Sequence, residues 1–252
     1  MRKYILIFII GALVAGGGFL FFTGRGENLI TKLFGPDVPT AVPYQPSPSV
    51  SIPTLASPKL TPQLAQEINL DIPFTSQAPH RNWELPYKEF CEEASSLMAI
   101  SYVTGQTIPN ADFANAKMLE IKAFEEKRFG YYEDTTAEET AIILKEFYKY
   151  PKVKIVANPS ITDIKTALSQ SKAVIVPAAG RKLGNPYYTQ PGPLYHMLVI
   201  KGYTKDGRFI TNDPGTRRGA DFIYDPAVLW NAIRDWNGGD VDTGKKVMIV
   251  VG

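Results

Sequence analysis

Apolar residues at helical spacing predict two helices in the first part of the folded domain. The first covers residues 92–104, and Gly105 directly after it is a suitable terminator. The residues that share its apolar face are Ala94, Leu97, Met98 and Tyr102. The second helix covers residues 112–128. Both are long enough to pack against a sheet.

A third helix and several short apolar runs follow. Thr135 and Glu138 have the spacing of a capping box, which predicts a helix over residues 135–148. Runs typical of strands cover residues 68–74, 153–156, 173–177, 196–203, 208–212 and 246–251. Shorter helices are predicted over residues 161–170 and 226–236. Because helices come first and an antiparallel sheet comes later, the order of elements predicts an α+β fold.

An uncharged, almost wholly apolar stretch at residues 4–22 follows Arg2 and Lys3. In helical form these residues span about 28 Å, close to the hydrocarbon thickness of a bilayer. We therefore expect residues 1–34 to contain an uncleaved signal anchor that leaves the N-terminus in the cytoplasm and the remaining chain outside it. A cleavable signal peptide is the alternative, although its small residues 15–18 lie inside the apolar run.

A proline-rich segment separates this anchor from the folded part. Eight of residues 35–62 are proline, so the segment lacks the backbone donors that a helix or a sheet needs. We predict that residues 35–64 form an extended stalk, the alternative being a disordered linker that serves only as a spacer. Residues 65–252 are then one folded domain.

Composition narrows the classes of function. The net charge is only +2 in 252 residues, and no basic stripe with interleaved aromatics suggests a nucleic-acid partner. One cysteine cannot form an intramolecular disulfide, and the Cys and His residues lack zinc-finger spacing. No phosphate-binding G-x-x-x-x-G-K-[ST] string occurs, so we expect no ATP site. We expect neither a cofactor nor a metal.

Cys91 and His196 are the candidate catalytic residues. Cys91 stands directly ahead of the first predicted helix, and His196 opens the apolar run HMLVIKGY. A helix N-terminus and a histidine both lower the pKa of a thiol, and the thiolate is the nucleophilic form. The pair predicts thiol catalysis.

Four separated motifs support the prediction of thiol catalysis. In chain order, these motifs are the segment LDIPFTSQ at residues 70–77, the helix after Cys91, the run from Tyr195 to Tyr203 and the segment ITNDPG at residues 210–215. Together they resemble the papain-like cysteine peptidases of family thirty-nine, relatives of the double-glycine leader peptidases that process bacteriocins. The resemblance implies a papain-like fold, with the nucleophile at a helix start and helices packed on an antiparallel sheet.

The resemblance also implies roles for four residues. Cys91 would be the nucleophile, His196 its base, Asp213 the residue that orients the imidazole, and Gln77 an oxyanion-hole donor. A hairpin that returns beside His196 brings both Asn212 and Asp213 to its far end, and adjacent strand residues point to opposite faces. Only one of them can hold the imidazole, so Asn212 stays an alternative.

Glu92 and Glu93 depart from the family pattern, in which small residues commonly follow the cysteine. Their carboxylates suit the first turn of a helix, but close to the sulfur they would raise the pKa of the thiol. This leaves open whether the site is active.

Substrate contacts are expected from two loops. Trp83 lies in the loop between Gln77 and Cys91, and residues 180–194 form a Gly- and Pro-rich segment that leads into His196. We predict that Trp83, Tyr187 and Tyr188 contact a peptide, with exposed tyrosines on a covering flap. An ordinary solvent loop is the alternative.

The sequence as a whole predicts a membrane-tethered, extracytoplasmic cysteine peptidase of a prokaryotic cell envelope, which acts on peptides or proteins. One alternative is a weak or inactive papain-like module that binds peptides or envelope partners. Another uses the same acyl-transfer chemistry on cell-wall amide bonds.

Overall fold

The computed structural model describes residues 37–46 and 64–252. In these ranges the α-helices are α1 (Cys91–Thr104), α2 (Ala111–Arg128), α3 (Ala137–Ile142), α4 (Ile161–Ser169) and α5 (Pro226–Ala232). The strands are β1 (Ile68–Asn69), β2 (Val153–Ala157), β3 (Ala173–Ala179), β4 (Tyr195–Tyr203), β5 (Phe209–Asn212), β6 (Phe222–Tyr224) and β7 (Val247–Val251). Short 3-10 turns lie at Tyr87–Glu89, Gly180–Leu183 and Val241–Thr243.

All strand pairs of the sheet are antiparallel, in the order β2-β7-β3-β4-β5-β6, and β1 pairs with the end of β4. Strand β4 is central and buried along its whole length. Its first residues pair with the end of β3, with Ala178 opposite His196. The predicted α+β fold, with helices packed on an antiparallel sheet, is confirmed.

Helix α1 is the central helix, and it packs against β4 and β3. Every residue from Cys91 to Val103 is buried, so the helix has no solvent face, whereas the sequence indicated one apolar stripe. A helix that is buried all round needs small side chains on some faces, and Ala, Ser and Cys supply them here. Gly105, with φ of 69°, ends the helix in the left-handed conformation, as predicted.

Several predicted boundaries were wrong. The capping box that starts α3 is formed by Thr136 and Glu139, because Thr135 is buried and its hydroxyl lies 3.5 Å from Glu125. The helix then changes to a π-helical turn at Ile143–Phe147. Strand β1 covers two residues rather than seven, and β6 was not predicted.

The end of α5 also differs. The helix stops at Ala232 instead of residue 236, because the next residue, Ile233, forms a β-bridge with Ala178 beside the sheet. Bridge formation draws the backbone out of helical geometry, and the φ and ψ of Ile233 are −56° and 111°.

Residues 38–46 of the predicted stalk pack on the folded domain. Val42 forms a parallel bridge with Leu70, and its backbone N–H donates to Asn69 O at 2.8 Å. The Tyr44 ring meets Tyr102 edge-on, with the centroids 5.2 Å apart. The stalk prediction therefore has to be corrected for this segment, which belongs to the same compact unit as the domain.

Within the described ranges, no helix combines the length and the apolar character that a bilayer crossing requires. The predicted anchor at residues 4–22 and the part of the predicted stalk at residues 47–63 lie outside these ranges.

Candidate active site

One cavity of about 540 Å³ brings the predicted chemistry together. Cys91 is the first residue of α1, and His196 is the second residue of β4. Because α1 packs directly against β4, both side chains reach the cavity wall. Three other residues singled out in the sequence, Gln77, Trp83 and Tyr188, also line it.

The Cys91 thiol is buried, and it donates a hydrogen bond to Glu92 Oε2 at 2.9 Å. Burial raises the pKa of the thiol well above its usual value, and the hydrogen bond and negative charge of Glu92 and the charge of Glu93 add to this. The backbone of Met197 opposes the rise by hydrogen bonding to the sulfur. In this conformation the thiol is paired with a carboxyl group rather than with the imidazole.

Three carboxyl groups are buried together close to Cys91. Glu92 and Glu93 lie in the first turn of α1, and Glu125 lies on α2, which packs against it. Burial raises the pKa of all three, and for Glu125 it reaches about 8. Burial thus favours their protonated, uncharged forms. In the part of the chain that the structure describes, no group of three or more Cys, His, Asp or Glu side chains is suited to a metal ion.

The imidazole of His196 is held by Asp213, whose Oδ1 lies 2.8 Å from Nε2. Asp213 is fully buried and follows the last residue of β5. In the β4–β5 register Val199 pairs with Asn212, and continuing it makes Asp213 a diagonal neighbour of His196 on the same face. With Nε2 bound to Asp213, Nδ1 is the ring nitrogen left for a second hydrogen-bond partner.

Asn212, the alternative partner for the imidazole, makes its hydrogen bonds elsewhere. Its amide donates to Ile72 O at 2.9 Å and to Pro73 O at 3.3 Å, so it holds the segment that follows β1. The structure brings Asp213 to the imidazole and directs Asn212 away from it.

Asp213 accepts hydrogen bonds from four further donors, which lie on three separate segments. They are the hydroxyls of Tyr188 and Tyr224 (both 2.6 Å), the Asn185 amide and the Gly215 backbone N–H (both 3.0 Å). Burial by itself would raise the pKa of Asp213, but the charge and hydrogen bond of His196 and the two tyrosine hydroxyls outweigh it and lower that pKa. The carboxylate form is therefore stabilised without solvent.

Sequence reasoning missed Asn185 and Tyr224. Asn185 stands in the Gly- and Pro-rich segment that was interpreted as a flap, and Tyr224 ends the unpredicted strand β6. Neither carries a local signal, because both reach Asp213 only through the tertiary fold.

Gly215 allows the close packing of this loop against the histidine. A Cβ at this position would lie 2.8 Å from His196 Cε1 and 3.0 Å from the Tyr188 ring. Glycine is therefore the residue that fits between the imidazole and the loop after β5.

Gln77 lies at the cavity wall, but its amide is engaged. Nε2 donates to Tyr87 O at 3.0 Å and to Lys88 O at 2.7 Å, which uses both amide hydrogens. Its Oε1 is buried and has no hydrogen-bond partner in the described ranges. The predicted oxyanion donor is thus not free in this conformation, and it would have to rotate to reach a substrate.

The three predicted substrate contacts occupy different places. Trp83 is 38% exposed at the cavity rim, and Tyr187 is 45% exposed beside it. Tyr188 differs from the expected exposed position: it is only 7% exposed, and its ring packs edge-on against His196 at 5.5 Å. Only part of the predicted flap is therefore open to solvent.

Replacing Glu125 with Gln should make the free energy of unfolding less dependent on pH. Because the folded-state pKa of Glu125 is raised to about 8 from 4.5, the folded protein holds a proton that the unfolded chain releases, and stability falls as pH rises between these values. Urea unfolding at about pH 5 and about pH 8 should show a loss in the wild type that exceeds the loss in the variant by about 1 kcal/mol or more. Glu126→Gln, the exposed neighbour on α2, is the matched control. Equal pH dependence in all three proteins would contradict the assignment.

No curated protein matches the sequence. Among solved structures, a putative C39-like peptidase from Bacillus anthracis is 15% identical, with a TM-score of 0.46, and the match covers 74% of this chain and 98% of that one. A fragment of prointerpain A from Prevotella intermedia is 13% identical, with a TM-score of 0.37, over 55% of this chain and 41% of that one.

The family model described as Peptidase_C39 like family matches residues 69–236, which include Cys91, His196 and Asp213. This match spans more than half of the sequence. The chain therefore belongs to the Peptidase_C39 like family.

Proposed function

We propose that the domain is a cysteine peptidase with Cys91 as nucleophile, His196 as general base and acid, and Asp213 as the group that orients the imidazole. The observation that carries the proposal is the shared cavity, in which a thiol at a helix start and a histidine held by a buried carboxylate meet. Family membership supports a peptide or protein as the substrate.

The reaction follows from these positions. His196 Nδ1 takes the thiol proton, and the thiolate attacks the substrate carbonyl carbon to form a tetrahedral oxyanion. The imidazolium then protonates the leaving amine as the C–N bond breaks, which leaves a thioester on Cys91. Water, deprotonated by His196, releases the acid product and restores the thiol. Asp213 stays ionised throughout and stabilises the imidazolium.

The oxyanion requires donors near Cys91. The backbone N–H of Cys91 belongs to the first turn of α1, where N–H groups have no intrahelical acceptor. Gln77 is the proposed second donor, once its amide turns away from the carbonyls of Tyr87 and Lys88. Such a donor typically contributes about 2.7–4 kcal/mol to lowering the barrier.

In this proposal, the protonation state of Glu92 controls how easily the Cys91 thiol ionises. When the carboxyl is ionised, its charge 2.9 Å from the sulfur opposes the thiolate; when it is protonated, that opposition disappears. The buried carboxyl groups behind the cysteine therefore favour activity at lower pH, where they hold their protons.

A second candidate function is a peptide-binding module without significant catalysis. The observation that favours it is the thiol itself, which is buried, hydrogen-bonded to Glu92 and shifted toward its protonated form. The cavity and its exposed rim would still bind peptide. Thiol reactivity separates the two candidates.

Iodoacetamide labelling of the folded domain near neutral pH should be slower in His196→Ala than in the wild type. In Glu92→Gln the labelling rate should exceed the wild-type rate increasingly as the pH is raised and the buried wild-type carboxyl ionises. The first substitution removes the proton acceptor, and the second removes the charge that raises the pKa of the thiol. Glu93→Gln is the matched control: it is equally buried but makes no hydrogen bond to the sulfur, so its effect should be smaller. Equal rates in all four proteins, with hydrolysis of a peptide library unchanged by Cys91→Ser, would favour the binding module.

Tyr224→Phe should lower kcat/KM for peptide hydrolysis by roughly tenfold, since a hydrogen bond to a charged group contributes about 1.5–3 kcal/mol. Losing a donor also raises the pKa of Asp213, so the acidic limb of the pH–activity profile should move to higher pH. Tyr203→Phe is the control, because its hydroxyl donates to Ala65 O at 2.8 Å, at the other end of β4 from His196. A lower rate with an unmoved acidic limb would indicate a structural effect alone.

The membrane attachment remains a proposal that rests on the sequence of residues 1–34. If residues 4–22 are an uncleaved anchor, full-length protein expressed in bacteria should stay in the membrane fraction after a carbonate wash. Mass spectrometry should find Met1 to Phe22 still attached. A mature chain that begins after Ala15 would show that the segment is a cleaved signal peptide instead.

A further inference from the structure

A second groove of about 560 Å³ adjoins the catalytic cavity. The two share Trp83, Thr189 and Gly215 as walls, so one bound chain can occupy both. The remaining lining of the groove is Tyr187, Thr216, Arg217 and Arg218. It therefore carries two guanidinium groups, and none of these lining residues is acidic.

The loop that bears the two arginines is fixed in place. Its ends are joined by a backbone hydrogen bond from Asp213 N to Gly219 O at 2.9 Å. A Cβ at Gly219 would lie 1.7 Å from Asp213 O, so only glycine permits this closure. The buried Thr216 hydroxyl accepts the Arg218 backbone N–H at 3.2 Å. The loop that carries the two arginines therefore begins at Asp213, the residue that is hydrogen-bonded to His196.

The guanidinium of Arg218 has a preferred position. Its Cζ lies 4.9 Å from the centre of the Tyr187 ring, and that ring packs edge-on against Phe222 at 6.0 Å. Stacking on a supported aromatic ring reduces the conformational freedom that an exposed arginine side chain would lose on binding. Arg217, the next cation, is exposed at the same groove.

Of the two spaces, only the catalytic cavity has acidic residues among its described lining. Glu89 and Asp134 line that cavity but not the second groove. A peptide that runs through both therefore meets carboxyl groups on one stretch and guanidinium groups on the other. Such a difference in charge selects the direction and register of a bound chain more than it adds affinity.

We propose that the second groove is a substrate subsite for acidic side chains, so that peptides with Asp or Glu a few residues from the scissile bond are selected. The inference rests on the proposed peptidase function, because the scissile bond is placed at Cys91. Guanidinium groups match the geometry of a carboxylate. Residues of an extended peptide advance about 3.3 Å each, so a groove that shares walls with the cavity is within reach of nearby substrate residues.

Binding to the Cys91→Ser domain tests the subsite without turnover. The probes are three fluorescein-labelled, end-blocked peptide libraries that are randomised alike, except that every second position is fixed as Asp, Asn or Lys. Fluorescence anisotropy should show the Asp library binding tighter than the Asn library, and the difference should shrink as salt is added. Arg217→Ala and Arg218→Ala should each reduce this preference roughly two- to fivefold, the range expected for partly exposed ion pairs.

Arg208→Ala is the matched control. This partly exposed arginine lies beside the turn at the other end of β4 from His196, where it pairs with Asp206. Its loss should leave the preference unchanged. Equal binding of the Asp and Asn libraries, or an equal reduction in all three arginine variants, would overturn the subsite.

Hydrolysis of the same libraries by the wild-type domain separates the two proposals. A preference for the Asp library in both binding and kcat/KM supports both of them. An Arg217-dependent binding preference with no hydrolysis would overturn the peptidase and leave the subsite in place, on a binding module. Hydrolysis with no acidic preference would overturn the subsite alone.

Discussion

The buried carboxylate of Asp213 is the interaction on which the rest of the site depends. It has no contact with solvent, and it is surrounded by donors from β4, from the segment after β3, from β6 and from its own loop. A buried charge is costly unless it is paired and fully hydrogen-bonded, and here each oxygen has at least two donors. Distant segments must therefore fold together before the imidazole is held, which ties the local chemistry to the whole sheet.

The electrostatic surroundings of Cys91 are the opposite of those of Asp213. Asp213 is surrounded by donors that stabilise its charge, whereas Cys91 lies beside Glu92 and near Glu93, which destabilise a thiolate. The first turn of α1 favours negative charge, but burial under α2 removes the water that would solvate the carboxylates. Protons on buried carboxyl groups therefore affect the ionisation of the sulfur. In the proposed enzyme, activity would be coupled to pH through residues that do not touch the substrate.

Sequence reasoning predicted the fold class, α1 and most strands, because long apolar runs and the Gly105 terminator are local signals. It chose Thr135 for the α3 cap, since two overlapping residue pairs satisfy the same spacing and only burial of Thr135 distinguishes them. Cys91 and His196 were selected by residue type and motif. Tyr188 was selected only as a substrate contact and Tyr224 was not selected, since their contacts with Asp213 cross 25 and 11 residues of chain and have no periodic signature.

In the proposed enzyme, the loop from Asp213 to Gly219 would join catalysis and recognition in one element. Its first residue holds the imidazole, Gly215 packs against the ring, and Arg217 and Arg218 line the neighbouring groove. A backbone hydrogen bond from Asp213 N to Gly219 O closes the loop, so the arginines and Asp213 belong to one closed element. A carboxylate bound in the groove would therefore stabilise the loop conformation that orients His196. In the proposed enzyme, substrate charge would then affect kcat as well as KM.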